Sequence, residues 1–89
     1  MSLKVVYLAS PYSHKDPAVM QQRFEEVSRI HGELFICYGD EYALIGPITQ
    51  SHNVALFTEL PSNWEFWKAQ DEALLSRCDE LWKIGRAHV

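Results

Sequence analysis

The chain opens with a short apolar stretch at residues 5–9 that ends abruptly in small and polar residues at positions 10–14. A strand that is apolar on both faces is typical of a parallel sheet covered by helices, and ligands of such sheets bind just beyond the carboxyl ends of the strands. Asp16 and Pro17 follow, a favourable N-cap and a favourable first helical residue. The pattern predicts a buried strand, a polar binding loop and a helix.

A long amphipathic helix is predicted over Pro17–Tyr38, because apolar residues recur there at steps of three and four. Polar side chains fall largely on its opposite face. We expect Gly39 to end this helix in the left-handed conformation that glycine tolerates. The apolar residues are Met20, Phe24, Val27, Ile30, Leu34 and Tyr38.

A second apolar run predicts a parallel strand over Tyr42–Ile45, followed by a loop that begins at Pro47. The next pattern is weaker. A short helix that is capped by Thr49 or Ser51 and continues through residues 54–57 is one interpretation, with residues 58–61 breaking it.

Ser62 and Glu65 have the spacing of a capping box, which predicts a helix over residues 63–77. A third strand is expected at residues 80–82. The alternation of strands and helices predicts an α/β fold with a Rossmann-like or flavodoxin-like parallel sheet and flanking helices, incomplete at the C-terminus. The inward face of the helix predicted over residues 63–77 is expected to contain Trp67, Asp71, Leu74, Leu75 and Cys78.

The last residues do not continue the third strand. Residues 84–89 resemble the translation of a common sequencing adapter, and Lys83 fits the codon at its start. We therefore expect a domain at residues 1–82 and a non-native tail at 83–89 that contributes little packing.

Composition excludes several classes of function. The formal net charge is −4 and the basic residues are scattered, which argues against nucleic-acid binding through phosphates. The apolar runs are too short to span a membrane, so a cytoplasmic location is the default expectation. Cys37 and Cys78 stand alone, and we expect partly buried, reduced thiols with no metal site and no cofactor.

Four blocks of sequence resemble one family. The chain is similar to the domain of unknown function 1937 family of bacteria and phages, which looks like a branch of the nucleoside 2-deoxyribosyltransferase-like superfamily. Gly46 and Gln50 depart from the serine and histidine expected in that family. The blocks are Tyr7-Leu8-Ala9-Ser10-Pro11-Tyr12-Ser13, Gly46-Pro47-Ile48 with Ser51-His52, Trp64 with Phe66-Trp67 and Asp71, and Leu74-Leu75 with Cys78-Asp79-Glu80-Leu81-Trp82.

The resemblance implies that Ser10, Pro11 and Tyr12 form a loop that binds a nucleoside or nucleotide. It also implies that Asp71 contacts the base and that Asp79 is the acidic residue before the next strand, both as supporting catalytic groups. The nucleophilic glutamate of the superfamily has no counterpart, so we expect this chain to be truncated and inactive. Independently, Asp71 falls on an apolar helix face, where a carboxylate must be paired, neutral or facing a cleft.

Further binding candidates lie near that loop, and each has a structural alternative. They are Tyr7, Ser13, Ser51, His52 and Trp64. A tyrosine in a buried strand is more often a core residue, and serines before a helix often only shape the turn. His14 and His52 are treated only as ligand contacts, since no catalytic triad can be recognised without geometry.

Two functions from different classes remain open. The first is binding of a small-molecule nucleoside or nucleotide by a domain whose full-length parent cleaves or transfers at the N-glycosidic bond, chemistry that suits a pair of carboxylates. The second is a non-catalytic nucleotide-binding or signalling module of the same fold, or a phage or bacterial accessory protein. The sequence also leaves homo-oligomerisation of a full-length parent open.

Overall fold

A computed structural model describes residues 2–84 and shows three parallel strands in one sheet. The strands are β1 (Lys4–Ala9), β2 (Tyr42–Ile45) and β3 (Glu80–Lys83). Their spatial order is β2-β1-β3, the order in which flavodoxin-like sheets begin. The prediction of a parallel α/β sheet with flanking helices is confirmed.

The central strand supplies the core. β1 pairs with β2 from Lys4 opposite Tyr42, and with β3 from Val6 opposite Glu80. Because β1 has neighbours on both sides, its side chains are shielded by both strands and by the helices. Val6 is 0% exposed and Leu8 is 1% exposed. This explains why the run at residues 5–9 is apolar without a polar alternation.

Helix α1 (Pro17–Tyr38) begins as predicted, with Asp16 Oδ1 accepting a hydrogen bond of 2.9 Å from the Ala18 N–H. Val27 is the buried residue of this helix. The predicted end is wrong in its geometry, because Gly39 is right-handed with a φ of −65°. Its N–H donates to the Phe35 carbonyl and simply closes the last turn. A left-handed residue does occur at Glu59, with a φ of 58°.

Helix α2 (Pro47–Thr58) is longer than the sequence suggested, and neither Thr49 nor Ser51 caps it. Gly46 is the N-cap and Pro47 is the first helical residue, where a missing N–H costs nothing. The Thr49 hydroxyl instead donates to the Gly46 carbonyl at 2.8 Å. The proline that suggested a loop therefore starts the helix.

Helix α3 (Trp64–Ser76) is capped by Asn63, whose Oδ1 accepts a hydrogen bond from the Phe66 N–H at 3.3 Å. The predicted N-cap, Ser62, thus lies one residue before the actual one. No residue of α3 is fully buried, and Leu75 is exposed rather than packed inward. The other four predicted inward residues are half-buried, so α3 covers its face of the sheet only partly.

The end of β3 lies one residue beyond the boundary expected from the sequence. Lys83 pairs with Ala9, and the Ile84 N–H donates to the Ala9 carbonyl at 2.8 Å. These two residues, assigned by the sequence to the tail or its edge, extend the backbone ladder at the carboxyl end of β1. The rest of the expected tail, residues 85–89, lies outside the described residues.

The two cysteines are free thiols. Cys78 is half-buried, and its Sγ donates to the Leu74 carbonyl at 3.2 Å. Cys37 is exposed, which corrects the expectation that both are partly buried. No helix between residues 2 and 84 combines the length and apolarity needed to cross a membrane.

Candidate active site

A cavity of about 180 Å³ lies at the carboxyl end of β1. The chain leaves β1 for β2 on one side and later adds β3 on the other, so β1 is where the strand order reverses. Open parallel sheets bind ligands at such a position. The last residues of β1, the start of α2 and one face of α3 surround this space.

Aromatic rings form much of the cavity wall. Tyr7 projects from β1, Tyr12 from the loop that follows, and Trp64 and Trp67 from α3. Trp67 is held by its Nε1–H, which donates to the Pro61 carbonyl at 2.7 Å. Trp64 is 49% exposed, so its ring remains accessible to a ligand. Flat apolar rings of this kind suit a planar, partly polar group.

Hydroxyl groups line the same space. The predicted binding residues Ser10, Ser13 and Ser51 all border the cavity, and Ser62 joins them. The Ser10 Oγ atom is buried and has no hydrogen-bond partner among the described residues. Leaving such a hydroxyl unpaired costs about 1–3 kcal/mol. An unsatisfied group at a cavity wall is a feature typical of binding sites.

Asp71 brings the only ionisable carboxyl group to the cavity wall within the described part of the chain. Burial raises the pKa of this carboxyl above its ordinary value. Burial also raises the pKa of Tyr7 to about 12, and the negative charges of Asp71 and Cys78 add to this shift. Asp71 thus borders the same cavity as Ser10 and Tyr12.

His52 does not border the cavity as a substrate contact, although the sequence suggested it. It is 8% exposed and lies behind Tyr12, whose hydroxyl is 2.7 Å from His52 Nδ1. Its ring stacks on Phe24 with centroids 4.2 Å apart, and its Nε2 is 2.8 Å from Gln21 Oε1. Burial lowers the pKa of His52. The ring supports the site from behind.

Asp79, for which the resemblance implied a supporting role in catalysis, lies at the opposite end of the sheet from the cavity. Its Oδ2 accepts a hydrogen bond of 2.8 Å from the Val5 N–H. Val5 and Ser10 are separated by five residues of extended chain, or about 16 Å at 3.3 Å per residue. The expected parallel sheet already pointed to this placement, because a residue just before a strand lies at the amino end of the sheet and the loop after β1 lies at the carboxyl end.

Two other predicted contacts also fall outside the cavity. Pro11 is exposed and does not border it. The His14 Nδ1 atom accepts a hydrogen bond of 2.9 Å from the Asp16 N–H and so shapes the turn before α1. His14 and Lys15 instead border an adjoining open groove that shares Ser13 and Trp64 with the cavity.

Sequence reasoning missed part of the wall. Ile48 and Asn63 border the cavity because α2 and α3 both begin there. The Gly46-Pro47 pair at the end of β2 was a usable signal, since proline is common at the first position of a helix.

The electrostatic character of the wall follows from this inventory. Among residues 2–84, no lysine, arginine or histidine borders the cavity, and these residues contain no cluster of three or more metal-ligating side chains. The wall can therefore stack a ring and exchange hydrogen bonds with it, while the Asp71 carboxylate favours ligand groups that donate hydrogen bonds.

Among curated proteins, none matches this chain. A family model does match, over residues 4–84, and these residues include all three strands, all three helices and the whole cavity wall. The chain therefore belongs to the family described as domain of unknown function 1937.

Proposed function

We propose that this chain binds a nucleoside or nucleotide, in the manner of the nucleoside 2-deoxyribosyltransferase-like superfamily that its sequence resembles. The single observation that supports this most is the composition of the cavity at the carboxyl end of β1. Stacking rings, hydroxyl groups and one half-buried carboxyl come together there from residues 7 to 71.

The chemistry of the wall matches the parts of a nucleoside. A planar base stacks on the rings of Tyr7, Trp64 or Trp67. The Asp71 carboxyl accepts hydrogen bonds from donors on the ligand, and the unpaired Ser10 hydroxyl is satisfied by a polar group of the ligand. The small volume suits one ring, with the remainder of the ligand extending toward the adjoining groove.

The same geometry favours binding without turnover in this chain. Chemistry at an anomeric carbon commonly uses two carboxyl groups about 5–9.5 Å apart. Asp71 is the only carboxylate at the wall formed by residues 2–84, and Asp79 lies at the far end of β1. A non-catalytic binding module is therefore the second candidate, while cleavage or transfer at the N-glycosidic bond is proposed only for a protein that supplies another carboxylate.

Calorimetric titration tests the proposal with purified chain and four probe classes: deoxynucleosides, their 5′-monophosphates, free bases and 2-deoxyribose. We expect deoxynucleosides or their monophosphates to bind, and Asp71→Asn to weaken that binding by about tenfold or more, since a charged acceptor is replaced by a weaker, uncharged one. Glu72→Gln is the matched control, because Glu72 is the next residue of α3 and is exposed.

Chromatography of the same mixtures for free base separates the two candidates. Binding without base release supports the module, and base release by the native chain supports an enzyme. Failure of all four probe classes to bind a folded, monodisperse sample would contradict the proposal.

A further inference from the structure

A chain of four polar side chains runs from the surface of α1 to the cavity. Gln21 Nε2 donates to Glu25 Oε2 at 3.0 Å, and Gln21 Oε1 lies 2.8 Å from His52 Nε2. His52 Nδ1 in turn lies 2.7 Å from the Tyr12 hydroxyl. We call Glu25, Gln21, His52 and Tyr12 the polar relay.

The direction of every hydrogen bond in the polar relay follows from its outer end. An ionised carboxylate only accepts, so the amide nitrogen of Gln21 must face Glu25 and its carbonyl oxygen must face His52. A carbonyl oxygen also only accepts, so the proton of the His52 ring is on Nε2.

The inner end of the relay is then determined as well. Burial lowers the pKa of His52, which keeps the ring neutral at pH 7. In a neutral ring with its proton on Nε2, Nδ1 is an acceptor, so the Tyr12 hydroxyl donates to it. The Tyr12 oxygen then has only lone pairs to offer to a ligand.

We propose that His52 is a positioning residue that makes Tyr12 a hydrogen-bond acceptor, so that the cavity selects bases with an exocyclic amino group over bases with a carbonyl at the same place. The proposal rests on the proposed function and names the class of nucleoside: adenine and cytosine nucleosides are favoured over those of hypoxanthine and uracil.

Two further features of the cavity support this selectivity. Within residues 2–84, the only charged side chain at its wall is Asp71, whose carboxylate is also an acceptor, and no cationic side chain of this part of the chain offers a donor to a carbonyl group. The serine hydroxyls of the wall can donate or accept and favour neither group. The wall consists largely of rings, and its volume of about 180 Å³ suits the flat base rather than the whole ligand. The base is therefore the part that meets Tyr12 and Asp71.

The first test needs no ligand and no substitution. Nitrogen-15 NMR of the native chain at pH 7 distinguishes the two neutral forms of a histidine ring from each other and from the charged ring. We expect His52 to have a protonated Nε2 and an unprotonated Nδ1. A protonated Nδ1 would overturn the proposal, because Tyr12 would then be free to donate.

The second test uses matched pairs of probes in calorimetric titrations: deoxyadenosine against deoxyinosine, and deoxycytidine against deoxyuridine. In each pair the amino group of one member is replaced by a carbonyl in the other, and the neighbouring ring nitrogen changes from an acceptor to an N–H donor. We expect a preference on the order of tenfold for the amino member, since a misplaced carbonyl leaves acceptors facing each other. Equal binding within both pairs would overturn the inference and leave the proposed function standing, whereas no binding of any member would overturn both.

Substitutions assign the preference to the relay. Tyr12→Phe removes the acceptor, and His52→Phe preserves the stacking on Phe24 while freeing the Tyr12 proton. Both should lower the ratio within each pair, with Asp71 left as the remaining acceptor, which a general loss of stability would not do. Tyr42→Phe and His31→Phe are the controls, because these residues do not border the cavity, and both should keep the native ratio. A native ratio in His52→Phe would contradict the role of His52.

Discussion

Asp79 and Val5 are joined by two hydrogen bonds at the start of the β1–β3 pairing. The Val5 N–H donates to Asp79 Oδ2 at 2.8 Å, and the Asp79 N–H donates to the Val5 carbonyl at 2.7 Å. The side-chain bond satisfies a backbone donor that lies just before the pairing of Val6 with Glu80. Asp79 is thereby a structural residue that fixes where β3 begins.

Replacing Asp79 by alanine should destabilise the fold without affecting the cavity. We expect a loss of about 1 kcal/mol in the free energy of unfolding, because the Val5 N–H loses its partner near the surface. Urea denaturation measures the change. Asp40→Ala is a suitable control at another exposed aspartate. A nucleoside affinity that falls together with stability in Asp79→Ala would argue against a purely structural role.

Gly32 is a position where stability can be gained. It lies within α1, is exposed, and an added Cβ would meet no atom within 4 Å. Glycine in a helix interior costs roughly 0.5–1 kcal/mol relative to alanine. Gly32→Ala should therefore raise the free energy of unfolding by about that amount, measured by urea denaturation. A loss of stability would contradict the open surroundings of Gly32.

Gly46 should respond in the opposite way. A Cβ there would lie 2.5 Å from Thr49 Oγ1 and 2.9 Å from His31 Nδ1. Thr49 would have to rotate, which breaks the bond from its hydroxyl to the Gly46 carbonyl. Gly46→Ala should cost about 1–3 kcal/mol, the usual range for overpacking. Recovery of stability in the double variant Gly46→Ala with Thr49→Ala would identify Thr49 as the cause.

The main elements of the fold were predictable because they depend on local patterns. The uninterrupted apolar run of β1 indicates a strand with neighbours on both sides, and the steps of three and four in α1 indicate one apolar helix face. The start of α2 was not predictable with the same rules, since Gly46-Pro47 is compatible with either a loop or a helix start. Only the residues after Pro47 could distinguish a helix start from a loop, and their apolar positions recur too irregularly to indicate a helix.

The site was predictable only where a local pattern marks its residues. Ser10 and Tyr12 follow a strand end, and Asp71 occupies an apolar helix face, so all three could be placed beside a cleft. His52 could not be placed, because its partners Tyr12 and Gln21 are 40 and 31 positions away. The supporting role of Asp79 came from the resemblance alone, whereas its position just before a parallel strand places it at the amino end of the sheet, away from the loop after β1.

Acidification should destabilise the fold through two histidines. Burial lowers the pKa of both His31 and His52 below the ordinary value of 6.5. As the pH falls below 6.5, the unfolded chain binds protons before the folded chain does, so the stability present above that pH is lost toward the lower folded values.

Urea midpoints at several pH values between 7.5 and 5 measure this effect. We expect the midpoint to fall with pH in the native chain and to fall less steeply in the double variant His31→Phe with His52→Phe. The single variants His31→Phe and His52→Phe divide the effect between the two rings. An equally steep fall in the double variant would assign the acid sensitivity to other groups.

Asp71 should oppose stability while supporting binding. Burial raises the pKa of this carboxyl, which means that the folded chain disfavours its charge. Its contribution has the opposite sign to that of the histidines: stability is greatest where Asp71 is protonated and is lost as the pH rises above its ordinary value of 3.8. Asp71→Asn removes the ionisation and should raise the urea midpoint at pH 7, with the difference from the native chain disappearing at strongly acidic pH.

The same substitution should weaken deoxynucleoside binding by about tenfold or more, since the uncharged amide is a poorer acceptor. Glu72→Gln should change neither quantity appreciably, because Glu72 is exposed. A lower midpoint in Asp71→Asn would show that the carboxylate stabilises the fold and would remove the argument that its burial is maintained for a ligand.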